Sequence, residues 1–281
     1  MDSKVLCIDL GGTKLSLAHV SNGDITNQQT YKVPSLVSLS EFNQFLFNAI
    51  TPFVTNEVNG ISIGVPSLVD MSSGKVLETV NIPAWQNIEI KSLLESQFKI
   101  PVIVNNDANC FAVGEYHYGL GKQCNNIIGV CMGTGLGAGL ILNGKLYTGN
   151  YSAAGELGSF PYLDATIEDY CSGKLFTNYF NTSGAQAFIK ASEGCDKTME
   201  IFKQLGCHVG AALHQVILSF DPDKVVLGGS VSKSFKLFHN SMMQTLKGLV
   251  HPTLFKNIQV VQSELEHAAL LGAYKIFIDE K

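Results

Sequence analysis

Residues 8–17 read IDLGGTKLSL, which is an apolar run, a double glycine and a second apolar run. This pattern predicts two strands joined by a tight turn, because glycine adopts backbone conformations that other residues avoid. The same plan returns at residues 130–139, which read VCMGTGLGAG. Two such units, each followed by mixed strands and helices, predict a duplicated α/β fold with a cleft between its halves. A chance similarity of two glycine hairpins is the alternative.

Around these units, short apolar runs alternate with longer segments of helical periodicity. We predict strands at residues 4–10, 15–20, 25–33, 58–65, 102–105, 126–132, 138–142, 145–147, 224–227 and 258–261. We predict helices at residues 39–54, 88–98, 108–118 and 266–278, within 168–180 and 197–219, and from 231 onward. This mixture indicates an α/β architecture.

The composition argues against several classes of protein. The chain has 281 residues, 46% of them hydrophobic, and a net charge of −5. Its apolar content excludes disorder as the main state, and the lack of a basic excess argues against nucleic acid as a partner. The most apolar stretch, residues 127–142, contains five glycines and is too short for a membrane span. The length suits one large domain or two modest ones.

The cysteines and the first residues favour a reducing compartment. The seven cysteines are scattered and form no Cys-x-x-Cys pair, so we expect free thiols. Residues 1–5 lack the charged and apolar regions of a secretory leader. We therefore expect a cytoplasmic protein that does not contact a membrane.

The two glycine turns carry the chemistry of phosphate binding. Successive backbone N–H groups at such a turn form a concavity for anions. The residues that offer these groups are Gly11, Gly12, Thr13 and Lys14 around the first turn and Gly133, Thr134 and Gly135 in the second. Asp9, at the end of the first strand, is suited to hold Mg²⁺ through water. A tight hairpin also requires glycine, so each turn alone is weak evidence of a triphosphate site.

A third glycine pair follows an apolar strand, at Gly228 and Gly229. A flat base can lie on such residues because no side chain obstructs it. An ordinary strand-to-helix connection is the alternative. No Walker A motif is present, and the glycines after residue 133 lead into a strand rather than a helix, which disfavours a dinucleotide fold.

A polar cluster follows the strand predicted at residues 102–105. Asn106 offers hydrogen bonds to a sugar hydroxyl, and Asp107 is a candidate general base for a hydroxyl that attacks a phosphoryl group. The N-terminus of the following helix favours the ionised carboxylate that a base requires. The alternative is a simple helix N-cap, because Asn and Asp are preferred at that position.

The chain resembles the ROK sugar kinases over residues 9 to about 273. The motifs that carry the resemblance, in order, are DLGGTK (9–14), GVP (64–66), NNDAN (105–109), GTGLGAG (133–139), AGELG (154–158) and LGGS (227–230). The resemblance implies an actin-like (ribonuclease H-like) fold, with two α/β domains around a cleft. We divide the chain accordingly into residues 1–112, rejoined by a C-terminal helix at 266–281, and residues 113–265.

The resemblance also implies roles for individual residues. Members of the family mostly transfer the γ-phosphoryl group of Mg-ATP to a hexose, commonly at the 6-hydroxyl. By motif, Asp107 matches the catalytic base and Asn106 a sugar ligand. Residues 9–14 match the first phosphate motif, Thr134 and Gly135 the second, and the pair at 228–229 the adenosine side. Asn81, in NIPAW (81–85), matches a residue that lines the sugar site.

One departure from the family pattern concerns zinc. The family usually has a histidine after Glu-x-Gly and then a cysteine cluster, whereas here Ser159 follows Gly158 and no cysteine lies between Cys131 and Cys171. We therefore expect no zinc site at that segment. Residues 166–173 (TIEDYCSG) still resemble the end of the zinc motif, so Glu168 matches a sugar ligand.

Glu156, in the AGELG motif, matches a further sugar ligand. The alternative for Glu156 and Glu168 is a solvated surface pair.

The sequence thus favours an ATP-dependent kinase of a neutral hexose, and we expect a homodimer. No cluster of Arg or Lys accompanies the acidic residues, which disfavours a charged sugar. Glucose is the first expectation, followed by N-acetylglucosamine and N-acetylmannosamine. A transcriptional regulator of the same family is disfavoured because Asp9 leaves no room for a preceding DNA-binding domain. A non-catalytic sugar-binding protein is the other alternative.

Overall fold

The structure is a computed structural model that describes residues 3–34, 37–79, 82 and 85–281. Its strands are β1 (Lys4–Leu10), β2 (Lys14–Ser21), β3 (Asp24–Lys32), β4 (Val58–Val65), β5 (Ser67–Asp70), β6 (Lys75–Thr79), β7 (Gln86–Ile88), β8 (Val102–Asn106), β9 (Ile127–Met132), β10 (Leu136–Leu142), β11 (Lys145–Tyr147), β12 (Pro161–Tyr162), β13 (Ala165–Thr166), β14 (Lys224–Gly228) and β15 (Gln259–Gln262). Its α-helices are α1 (Leu39–Ile50), α2 (Ile90–Phe98), α3 (Asp107–His117), α4 (Ile167–Cys171), α5 (Gly173–Phe180), α6 (Gly184–Ser192), α7 (Asp196–Phe220), α8 (Gly229–Ser232), α9 (Phe235–Leu249), α10 (Pro252–Asn257) and α11 (Ala268–Glu280).

Two sheets of the same plan form the two halves of the molecule. The strand order is β3-β2-β1-β4-β8 in the first sheet and β11-β10-β9-β14-β15 in the second. In each sheet the strands that flank the glycine turn pair antiparallel. The strands added on the other side, β4 and β8 or β14 and β15, pair parallel. The duplicated α/β fold predicted from the two glycine hairpins is confirmed.

β1 is buried on both faces, which explains its nearly unbroken apolar sequence. Leu6 and Ile8 pack in one core with α1 and α2. Val5 and Cys7 point to the opposite face and pack in a second core with α3 and α11. A third core, in the second half, packs β9, β10 and β14 against α7 and α9.

α3 and α11 pack against each other between the two halves. α11 contacts β1, β2 and β4 of the first sheet, whereas α3 contacts β9 and β10 of the second. Their close crossing requires glycine, because a methyl group at Gly114 or Gly272 would overlap a backbone carbonyl of the facing helix. Residue 112 lies within α3, and our division of the chain there remains a prediction.

Several element boundaries differ from the sequence prediction. The segment predicted as a helix from residue 88 instead ends β7 at Ile88 and begins α2 at Ile90. The last helix begins at Ala268 rather than at 266, because His267 adopts a positive φ of 58°. β5, β6, β12 and β13 were not predicted, since such short strands give little alternation. Across the described residues, no helix is long and apolar enough to cross a membrane.

Candidate active site

The carboxyl ends of three parallel strands bring two aspartates together. Asp9 on β1 pairs with Gly64 on β4, which pairs in turn with Asn105 on β8. α3 begins directly after β8, so Asp107 lies at the same edge of the sheet as Asp9. A methyl group at Gly64 would lie 3.3 Å from the Asp107 Cα atom, so this glycine lets α3 begin close to β4. Ligands of α/β folds bind at such an edge.

The Asp107 carboxyl group has an unusual electrostatic environment. Its Oδ1 atom accepts a hydrogen bond from the Ala108 N–H at 2.9 Å. Burial, followed by the charges of Asp9 and Glu156, raises the pKa of Asp107 to about 8. Burial also raises the pKa of Asp9, to about 6. A carboxyl group that titrates near neutral pH is suited to accept a proton from a hydroxyl group.

Asn106, rather than Asp107, is the N-cap of α3. The Asn106 Oδ1 atom accepts hydrogen bonds from the N–H groups of Ala108 at 2.8 Å and Asn109 at 3.2 Å. Its Nδ2 atom donates to the Ser67 carbonyl at 3.1 Å. The capping alternative therefore applies to Asn106, while Asp107 occupies the first helical position. One Nδ2 hydrogen of Asn106 is left for a sugar hydroxyl.

The two aspartates fit one mode of magnesium binding. Mg²⁺ prefers oxygen ligands and usually keeps several waters, so one or two carboxylates and substrate phosphates can hold it. Among the described residues, no hydrogen bond or salt bridge involves the Asp9 carboxylate, and burial raises its pKa. Among those residues, no three His, Cys, Asp or Glu side chains form a metal cluster. Asp9 therefore suits a hydrated ion that also binds a ligand.

The first glycine turn (residues 11–13) leaves backbone amides available. The Gly11 N–H donates to the Lys14 carbonyl at 2.8 Å, and the Thr13 carbonyl accepts from Val33 at 3.0 Å. The N–H groups of Gly12 and Thr13 donate to no atom in the described part of the chain. Neither glycine of this turn has a positive φ, and a methyl group at Gly11 would contact only the Lys14 carbonyl, at 3.4 Å.

The second glycine turn (residues 133–135) has the same property. The carbonyls of Gly133 and Thr134 accept hydrogen bonds from Gly173 N–H at 2.8 Å and Ser172 Oγ at 3.1 Å. Within the described ranges, the N–H groups of Thr134 and Gly135 have no acceptor. The carbonyls are thus bound by the protein, whereas two amides are free to bind an anion.

The third glycine pair adjoins the second turn. Gly229 has a φ of 86°, and a side chain there would overlap the Met132 carbonyl. A side chain at Gly228 would overlap the Phe111 ring, so local packing accounts for both glycines. A methyl group at Gly133 would meet only Ser230 Oγ, at 3.9 Å, which shows how close the two segments lie. The adenosine-side role of the pair stays a prediction.

Glu156 lies near Asp107 and Glu168 lies near Glu156, but the two glutamates differ in their contacts. Burial and the charge of Glu168 raise the pKa of Glu156, and its side chain accepts no hydrogen bond from the described residues. Glu168 accepts one from the Leu136 N–H at 2.8 Å, and its other oxygen lies 2.6 Å from Lys174 Nζ. The sequence predicts no cluster of Arg or Lys beside the acidic residues, and the one lysine of the described residues that pairs with them, Lys174, is bound to Glu168.

Two backbone hydrogen bonds hold the segment before Glu156 against the first half of the molecule. The N–H groups of Val69 and Met71 donate to the carbonyls of Tyr151 at 3.2 Å and Asn150 at 3.4 Å. This contact helps to bring Glu156 toward Asp107. Asn81, the remaining predicted sugar ligand, lies outside the residues that the structure describes.

An aromatic cluster occupies the segment after Gly158, where members of the family usually have a zinc-binding cysteine cluster. The hairpin formed by β12 and β13 packs on α7, where Tyr162 Oη and His208 Nδ1 are 3.1 Å apart. Tyr170 on α4 donates to Asp164 in the hairpin turn, which raises the pKa of Tyr170. Tyr170 also stacks on Tyr179, with ring centroids 4.8 Å apart.

The model of the ROK family matches residues 5–280. The chain belongs to the ROK family. A glucokinase of Streptomyces coelicolor is 27% identical over 85% of this chain and 86% of its own length. The xylose repressor of Bacillus subtilis is 30% identical over 78% of this chain, but only 61% of the repressor is covered. ROK relatives of this chain thus include both kinases and repressors.

A solved structure of a ROK glucokinase from Streptomyces griseus, in complex with glucose and AMPPNP, superposes with a TM-score of 0.86. The match covers 98% of this chain and 99% of the glucokinase, at 25% identity. The fold is therefore the actin-like one of ROK sugar kinases, with two α/β domains around a cleft. The resemblance inferred from the sequence motifs is confirmed.

Two features of this ROK protein's site were not predicted from its sequence. The start of α5 supplies Ser172, whose Oγ donates to the second glycine turn 38 residues earlier in the chain, and Lys174, which pairs with Glu168 beside that turn. A weak signal existed for Lys174, because a cation in the first turn of a helix is unfavourable and needs a partner. The role of His208 in the aromatic cluster had no local signal, since it depends on where α7 packs.

Proposed function

We propose that this ROK protein transfers the γ-phosphoryl group of ATP to a neutral hexose, at the 6-hydroxyl of glucose or an N-acetylhexosamine. The observation that carries the proposal is the position of Asp107. It lies at the strand edge beside Asp9 and near Glu156, and its pKa is raised to about 8. The two glycine turns, each with two free amides, supply what a polyanionic donor needs. The ROK glucokinase with bound glucose and AMPPNP supports the same reaction class.

Asp107 would act as the general base. Phosphoryl transfer needs little covalent chemistry from the protein, which mainly orients the groups and stabilises charge. Asp107 would accept a hydrogen bond from the attacking hydroxyl and take its proton as the bond to phosphorus forms. Bringing the positive charges of a donor complex near Asp107 favours its ionised form, because an opposite charge lowers a carboxyl pKa.

The glycine turns would hold the donor phosphates. The N–H groups of Gly12, Thr13, Thr134 and Gly135 would donate to phosphate oxygens, with the exposed Lys14 beside them. Bound Mg²⁺, held by Asp9 through water, would neutralise charge on those oxygens. Gly228 and Gly229 would border the adenosine. Closure of the two domains would exclude water, which otherwise competes as an acceptor.

The sugar would bind between Asp107 and the second half of the molecule. The Glu156 carboxylate has unused acceptor capacity for hydroxyl groups, and Asn106 retains one Nδ2 hydrogen. Glu168 would approach the anomeric end, and Asn81 would line the site. Lys174, which lies beside Glu168, is neutralised by it. This balance favours an uncharged sugar, with a neutral aldohexose first.

Non-catalytic sugar sensing is the second candidate. The observation in its favour is the match to the xylose repressor, a ROK protein named for regulation. Both candidates bind sugar in the same cleft, and they differ in turnover. The homodimer expected from the family also stays a prediction.

A coupled assay with Mg-ATP and a panel of sugars tests the proposal. The panel is glucose, N-acetylglucosamine and N-acetylmannosamine, with fructose as a ketose control. We expect turnover with at least one aldose and the highest kcat/KM for glucose. Sugar binding by calorimetry without turnover of any sugar would support the sensing role instead. A clear preference for fructose would exclude the aldose assignment.

The Asp107→Asn variant tests the catalytic base. We expect kcat to fall by about 10²-fold or more, the range for loss of a general base, while sugar binding persists. The matched control is Asp196→Asn, because Asp196 also occupies the first position of a helix but is exposed. A near-normal kcat in Asp107→Asn would remove Asp107 from the base role.

A further inference from the structure

The Glu168 carboxylate is bound on both oxygens by the protein itself. Its Oε2 atom accepts the Leu136 N–H at 2.8 Å. Its Oε1 atom lies 2.6 Å from the Lys174 ammonium, a short, charge-assisted contact. Both side chains are partly exposed, at 27% for Glu168 and 38% for Lys174. The pair therefore lies at an accessible surface of the site.

The same carboxylate lies against the second glycine turn. A side chain at Gly135 would overlap the Glu168 carboxylate, so the backbone of the turn directly contacts this charge. The segment that follows Glu168 binds the turn as well, through Ser172 Oγ and the Gly173 N–H. The shape of the turn thus depends on α4 and on the start of α5.

This arrangement creates an electrostatic conflict that Lys174 resolves. The free amides of Thr134 and Gly135 suit an anion, yet the negative charge of Glu168 adjoins them. A bare carboxylate there would repel a phosphate. Lys174 is the second residue of α5, where the helix dipole disfavours a positive charge. The negative charge of Glu168 offsets this unfavourable interaction. The hydrogen bond to Glu168 raises the pKa of Lys174, which keeps it charged.

We propose that Lys174 is a positioning residue for the nucleotide, which holds Glu168 on the Leu136 amide and cancels its charge beside the second glycine turn. This inference rests on the proposed function, because it takes the nucleotide phosphates to bind at that turn. Glu168 then supports the donor side of the reaction in addition to its expected contact with the sugar. Lys174 acts through Glu168 and need not touch the reacting atoms.

The test compares Lys174→Met with Lys174→Arg and a matched control. The control is Lys203→Met, which removes another Lys–Glu pair, on the surface of α7. AMPPNP with Mg²⁺ is titrated into each protein by calorimetry, and KM for ATP and for the sugar is measured separately. We expect Lys174→Met to weaken AMPPNP binding about five-fold or more, the scale of an ion pair of this kind. Lys174→Arg should restore most of the affinity, and Lys203→Met should change nothing.

A double variant separates positioning from a general effect on the fold. In Glu168→Gln the side chain still accepts the Leu136 N–H but carries no charge. If Lys174 serves to cancel that charge, Lys174→Met should weaken AMPPNP binding much less in the Glu168→Gln background. Equal losses in both backgrounds would overturn the proposal. So would a change of sugar KM alone in Lys174→Met.

The two proposals fail in different ways. If the wild-type protein binds neither AMPPNP nor ATP, the kinase function is wrong. If it binds AMPPNP and phosphorylates sugar, but Lys174→Met leaves the AMPPNP affinity and the KM for ATP unchanged, only the role of Lys174 is wrong.

Discussion

Asp9 lies close enough to Asp107 for its charge to raise the pKa of the Asp107 carboxyl group. Burial is the larger cause, and the combined effect brings that pKa to about 8. An unfolded chain releases the same proton near pH 4. The folded protein thus holds a proton that the unfolded chain loses, over a window of pH that includes neutrality.

This window predicts how Asp107→Asn changes stability. Between about pH 4 and pH 8 the unfolded state binds fewer protons than the folded state, so the free energy of unfolding of the wild type falls as pH rises. Asparagine keeps the Oδ1 acceptor for Ala108 and does not titrate. We expect Asp107→Asn to raise Tm. The gain in the free energy of unfolding should be larger at pH 8 than at pH 5 by about 1 kcal/mol or more. Thermal unfolding in EDTA at both pH values measures the gain.

The exposed Asp196 supplies the control for this measurement. Asp196→Asn changes the same position of a helix without the burial, so its effect on Tm should be similar at the two pH values. A gain from Asp107→Asn that does not grow with pH would contradict the raised pKa.

The sequence was sufficient for the parts of the site that lie next to each other in the chain. The glycine turns and Asp107 each follow a strand directly, so strand patterning and turn chemistry identify them. The pairing of Lys174 with Glu168 beside Leu136 was not predictable, because it depends on how α4 and α5 fold back on the second turn. The capping role of Asn106 rather than Asp107 depended on a one-residue difference in where β8 ends.

Gly133 should be required for the nucleotide and not for the fold. A methyl group there meets only Ser230 Oγ, at 3.9 Å, and the backbone angle is not positive. We expect the free energy of unfolding of Gly133→Ala to stay within about 1 kcal/mol of the wild-type value. AMPPNP binding should weaken, because the methyl group fills the space of a phosphate. Gly248→Ala is the control, since its methyl group also meets nothing within 4 Å. Unchanged AMPPNP affinity in Gly133→Ala would place the phosphates elsewhere.

The aromatic cluster should stabilise the β12–β13 hairpin without zinc. We expect a chelator that spares Mg²⁺ to leave Tm and activity unchanged, and metal analysis to find no stoichiometric zinc. Tyr162→Phe removes the hydroxyl that contacts His208 and should lower the free energy of unfolding by about 1 kcal/mol. Tyr147→Phe, at an exposed tyrosine, should have no effect. A fall in Tm on chelation would mean that the protein binds a structural metal.

Glu156 should act on the sugar and not on the nucleotide. No residue in the described structure donates a hydrogen bond to the Glu156 carboxylate, so a sugar hydroxyl would be its first partner. Burial and the charge of Glu168 raise the pKa of Glu156. Glu156→Gln keeps one acceptor oxygen but weakens the charge-assisted bonds to hydroxyl groups. We expect KM for the preferred sugar to rise about ten-fold, the cost of such a bond, while KM for ATP changes less than two-fold. Glu200→Gln, on the surface of α7, should leave both values unchanged. Equal increases in the two KM values would mean that Glu156 shapes the cleft as a whole instead of binding the sugar.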